Sequence, residues 1–150
     1  MEAVVALEQD SLAVRAGAED IRSASEWLDR LCSERDVPAE QICRLDLCLN
    51  EALANIASYG GESALVAPVL LAVKVKAEND HAQATLTVSD SGKPFNPLAA
   101  TARPQVHSLL EATPGGLGLT MISGYSDALD YDYLDERNHL KITVQWARSS

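Results

Sequence analysis

A chain of 150 residues with 47% hydrophobic content is long enough to bury one sizeable core and too short to call for two, so residues 1–150 are expected to form a single domain. Its formal net charge of −10 denies it the basic patch that nucleic-acid backbones and anionic membranes attract. It holds no apolar run of the roughly eighteen residues a spanning helix needs, and the opening MEAVVALEQD lacks the basic start of a signal peptide, which points to a cytoplasmic protein.

Along the chain, residues 3–7 (AVVAL) and 12–15 (LAVR) read as two short strands around Gln9-Asp10-Ser11. From 18 to 35, Ile21, Ala24, Leu28 and Leu31 recur at helical spacing, with Glu19 and Asp20 in the first turn and Arg35 in the last, as the helix dipole favours. Pro38 suits the first turn of a second, longer helix. There Ile42, Leu45, Leu49, Ala52, Leu53 and Ile56 form one apolar stripe up to Gly60-Gly61. Cys32, Cys43 and Cys48 are odd in number, lie in helical pattern and lack metal-ligand spacing. They are expected to be buried free thiols in a reducing compartment.

After Pro68, Val69, Leu71, Val73 and Val75 alternate with Lys74 and Lys76, the period of a half-buried strand. Residues 79–82 turn the chain back into a second strand, with Ala84, Leu86 and Val88 on one face. Residues 91–116, rich in proline, predict a long loop, and long loops of this kind are usually functional. A helix opening near Gly116 to Ser123, a strand near 127–133, a turn at Asp135-Glu136-Arg137-Asn138 and a strand carrying Leu140, Ile142, Val144 and Trp146 complete the chain. Strand pairs joined by tight turns, with helices grouped apart, predict an α+β fold: a two-layer sandwich whose mixed, mostly antiparallel sheet is covered on one face by helices.

Three features do not fit a plain packing role. Glu51 and Asn55 sit one turn apart, with Arg44, Cys48 and Tyr59, on a stripe about a third of a turn from the apolar one; carboxylate and carboxamide oxygens there suit a hard cation and a proton. A solvated pair on an amphipathic helix has the same pattern. Asp90 continues the Ala84, Leu86, Val88 face, so its carboxylate points toward the core layer and needs a donor, while Gly92 leaves the backbone open to close approach. An Asp closing its own turn would read the same. Finally, Pro114-Gly115-Gly116-Leu117-Gly118 runs into a helix start, where free N–H groups and the dipole suit phosphate. It is neither a P-loop nor a dinucleotide fingerprint.

In this order and spacing the three resemble the ATP-binding domain shared by gyrase, ninety-kilodalton heat-shock chaperones, histidine kinases and MutL, the GHKL superfamily. LCLNEALANIASYG, VSDSGKPFNP and GGLGLTMIS are most similar to the stand-alone anti-sigma-factor serine/threonine kinases, the RsbW-like family. The resemblance implies ATP and Mg²⁺ as cofactors. By that resemblance Glu51 is the general base, Asn55 the Mg²⁺ ligand, Asp90 the acceptor of the adenine amine, Gly92 the glycine beside the base, Gly116 and Gly118 the phosphate glycines, and residues 97–115 a lid. Arg103 in that lid is the nominated phosphate contact. It implies a protein partner, a STAS-domain antagonist or a sigma factor, and a homodimer. Tyr59 stands where the family often has histidine, and Asn138-His139 where many relatives have Gly-Thr. Beside the kinase reading stand a nucleotide-gated binding module and the catalytic piece of a split histidine kinase.

Overall fold

The computed structural model describes residues 8–15, 18–59, 61, 67–94 and 124–148. Their elements are, in order, β1 (Glu8–Val14), α1 (Ala18–Glu34), α2 (Ala39–Tyr59), β2 (Val69–Ala77), β3 (His81–Asp90), β4 (Ala128–Leu134) and β5 (Arg137–Ala147). The strands form one five-stranded sheet in the order β1-β2-β3-β5-β4. Every pairing in it is antiparallel, so the expected mixed character is not seen among the described residues.

Strand periodicity decides which face the helices cover. Register aligns Leu71 with Val88 and Leu140, Val73 with Leu86 and Ile142, and Val75 with Ala84 and Val144, which builds one continuous apolar face. Onto it α2 lays Leu45, Leu49 and Leu53, all fully buried, and α1 adds Ala24, Trp27, Leu28, Leu31 and Cys32. Each such leucine contributes about 1.5–3 kcal/mol by leaving water. The opposite face carries Lys74, Lys76, Thr85, Thr87, Lys141 and Thr143, with Thr85 and Thr143 hydroxyls 2.9 Å apart across the pair. The expected two-layer α+β architecture is what the chain adopts.

Two local expectations change. Residues 9–11 are not a turn: they lie inside β1, paired through Gln9 with Lys74, Asp10 with Val73 and Ser11 with Ala72. An edge strand tolerates such polar residues because one side of it meets solvent. The first apolar segment, 3–7, lies outside the described residues. The last turn is also shorter than four residues: Leu134 pairs with Arg137, and only Asp135 and Glu136 span the gap, with φ of 55° and 61°. A two-residue primed turn asks for that left-handed geometry, usually with Asn-Gly. Asn138 therefore belongs to β5, not to the turn.

The α1–α2 junction is a Schellman cap. Val37 N–H reaches Cys32 O at 3.0 Å and Asp36 N–H reaches Ser33 O at 3.1 Å, with buried Val37 as its apolar lock. Asp36 holds the left-handed position at φ 64°, where glycine is unstrained. Asp36→Gly is expected to raise stability by about 0.5–1 kcal/mol, roughly 1–4 °C in melting temperature. A calorimetric melt showing a fall instead would contradict the cap assignment.

Candidate functional site

Lys93 ties two ends of the fold together. Its Cε lies 3.4 Å from where a Cβ on Gly61 would stand, so the residues just beyond α2 meet the loop just beyond β3. Asn55, in the last turns of α2, and Asp90, the last residue of β3, therefore lie at the same end of the molecule. Glu51 is half-buried one turn before Asn55.

Asn55 is 5% exposed, and its Oδ1 is buried with no hydrogen-bond partner among the described residues. A buried carbonyl oxygen left so costs about 1–3 kcal/mol, which makes this atom the least satisfied one on α2 that burial alone does not explain. Cys48, on the same flank, is also buried, so that stripe is not the solvated face of an ordinary amphipathic helix. Arg44, although on the same stripe, is remote from Asn55: it faces Asp127 at 3.7 Å, and eleven residues of helix put about 16 Å between it and Asn55.

Asp90 is 7% exposed on the helix-covered face, as strand parity requires. Its expected lack of a donor needs correcting. Oδ1 accepts from Gly92 N–H at 2.7 Å and from Asn138 Nδ2 at 3.1 Å, while Oδ2 accepts nothing from the described residues. The Asp-x-Gly turn is thus real, and it leaves one carboxylate oxygen uncommitted. Asn138, 5% exposed and directly opposite Asp90 in register, also donates to Gly92 O at 3.3 Å and Lys93 O at 2.8 Å. Its own Oδ1 accepts from the Tyr131 hydroxyl. On the other sheet face, Arg137 donates to Ser89 Oγ and Ser89 O, both at 2.9 Å, and to Pro68 O at 3.3 Å, which closes the end of β3 against the start of β2.

Asn138 and Tyr131 were not among the expected site residues. The signal was the β5 register, which an assumed four-residue turn had hidden. Gly116, Gly118, Arg103 and the expected lid at 97–115 lie outside the described residues. No cluster of three or more His, Cys, Asp or Glu side chains gathers among the described residues.

The cysteines divide. Cys32 and Cys48 are buried, but Cys43 is exposed, against the expectation for all three. Burial pushes the Cys32 thiol up to about 11, helped by Asp29, and the Cys48 thiol up to about 12, with Glu51 adding to the rise and Arg44 opposing it. Raised folded values mean that this contribution to stability is intact below the ordinary thiol value of 9.0 and is lost as pH climbs toward 11–12. At pH 8 a thiol reagent is expected to titrate Cys43 quickly and the other two only on unfolding. Fast reaction of Cys48 in the native protein would contradict its burial.

The sequence pattern of the histidine kinase-like ATPase domain matches residues 14–144, and the chain belongs to that family of nucleotide-binding domains. It is 30% identical over 141 residues to the serine/threonine-protein kinase BtrW of Bordetella bronchiseptica, covering 94% of this chain and 96% of that protein. The solved SiaB-SiaC complex from Pseudomonas aeruginosa aligns at a TM-score of 0.49 and 16% identity, covering 91% of this chain and 89% of that one. Among the described residues no helix is long and apolar enough to cross a membrane.

Proposed function

We propose that this chain is an ATP- and Mg²⁺-dependent protein serine/threonine kinase that phosphorylates a hydroxyl of a regulatory protein partner. The observation that carries this reading is the buried, unpartnered Oδ1 of Asn55 at the same end of the fold as the buried Asp90. Similarity to a serine/threonine kinase along nearly the whole chain supports the acceptor class.

Asn55 Oδ1, a hard neutral oxygen already stripped of water, fits Mg²⁺. When bound there with ATP, the ion would neutralise charge on the phosphates. Glu51, one turn earlier and half in contact with water, can take the proton of a Ser or Thr hydroxyl. Asp90 Oδ2 can accept from the adenine amine, which gives the core-facing acid a further partner. Gly92 anchors the carboxylate through its N–H. Gly116, Gly118 and Arg103 complete the reading as phosphate contacts. Positioning and charge neutralisation are most of what phosphoryl transfer asks of a protein, so an acidic chain can perform it with few cations. The partner, a STAS-type antagonist or a sigma factor, would arrive at the Glu51 side.

The test is transfer of label from [γ-³²P]ATP to the protein that co-purifies with this chain. An acid-stable phosphoprotein is expected. An acid-labile product would point to histidine, and tight nucleotide binding without transfer would overturn the kinase reading.

A further inference from the structure

We infer that Asn138 aims Asp90, and that this positioning residue makes the site prefer a 6-amino purine over purines lacking that amine. The inference rests on the nucleotide reading above and deepens it.

The geometry leaves the amide one orientation. Gly92 O and Lys93 O can only accept, so the nitrogen of the Asn138 amide must face them, and the same nitrogen donates to Asp90 Oδ1. The Tyr131 hydroxyl donates to the amide oxygen, in keeping with that orientation. Gly92 N–H also only donates, so Asp90 Oδ1 accepts from two donors at once. Two bonds on one oxygen fix the carboxylate plane and thereby the direction of Oδ2.

An acceptor fixed in a site this buried discriminates by donor. An exocyclic amine satisfies it, a hydrogen in the same place leaves it unpaired, and the carbonyl of a 6-oxo purine opposes it lone pair to lone pair. Asn138 does not touch the purine in this scheme. It sets where the discriminating oxygen points, which a hydrophobic residue at this position could not do.

Discrimination, not bare affinity, separates this role from a merely structural one. Calorimetric titrations at fixed Mg²⁺ would compare ATP with purine riboside triphosphate, which lacks only the amine. The wild-type chain is expected to prefer ATP. In Asn138→Ala that preference should shrink by about tenfold, with purine riboside triphosphate binding nearly as before. Tyr131→Phe, which keeps the amide and removes its hydroxyl partner, should shrink the preference by a smaller factor, and it decides the matter should the alanine variant melt before it can be titrated. Equal weakening of both nucleotides, or an unchanged ratio in a folded variant, overturns the inference and leaves the nucleotide reading intact. A wild type that binds both equally removes the Asp90 reading and this inference together. A wild type that binds neither removes the nucleotide reading itself.

Discussion

Glu51→Gln is expected to lower phosphoryl transfer by about 10²–10⁴-fold, the range a positioned general base supplies. Nucleotide binding should stay within about twofold, because the substitution removes a proton acceptor and no contact to the purine or the metal. The half-buried position of Glu51 makes the change sterically quiet, since Gln has the same shape and can hydrogen-bond to water. Single-turnover transfer of label, measured beside nucleotide titration, separates the two quantities. Loss of nucleotide affinity in step with transfer would assign Glu51 to binding instead, and unchanged transfer would remove it from the chemistry.

Asn55→Leu should move stability and function in opposite directions. The amide carbonyl is buried with no partner among the described residues, so a leucine of nearly the same size removes an unsatisfied acceptor from the interior. A gain of about 1 kcal/mol in unfolding free energy is expected. The same change deletes the oxygen assigned to Mg²⁺, and magnesium-dependent nucleotide affinity should fall by about 100-fold or more. Sites kept for function at the expense of stability behave this way. A destabilised variant with full nucleotide affinity would show that Asn55 serves packing alone.

The sequence disclosed the parts of this fold that obey a period. Ile42, Leu45, Leu49, Ala52 and Leu53 are buried on α2 as their spacing requires, and Asp90 takes the helix-covered face because Ala84, Leu86 and Val88 do. The burial of Asn55 was foreshadowed by its flank position beside that stripe. Where the reading failed, the backbone did something its residues do not advertise. Asp135 and Glu136 occupy left-handed positions without a glycine or asparagine between them, so the turn looked longer and Asn138 seemed to lie outside the strand. Gln9, Asp10 and Ser11 have turn composition, yet their backbone pairs with β2 along one edge. Cys43 sits on the exposed face of α2 although its neighbours Ile42 and Leu45 are buried, a distinction of about one residue's rotation. The donors to Asp90 come from Gly92, two residues on, and from Asn138, forty-eight residues away, and only register could reveal the second.

On the reading proposed above, the end of α2 bearing Asn55 holds metal and nucleotide together. Replacing Mg²⁺ with Mn²⁺ in a ¹⁵N-labelled chain saturated with ADP puts a paramagnetic centre at that end, and the side-chain amides report its position. The Asn55 amide signal is expected to broaden beyond detection while that of Gln41, about 21 Å back along α2, survives. An Asn55 amide that stays as sharp as that of Gln41 with nucleotide bound would contradict it.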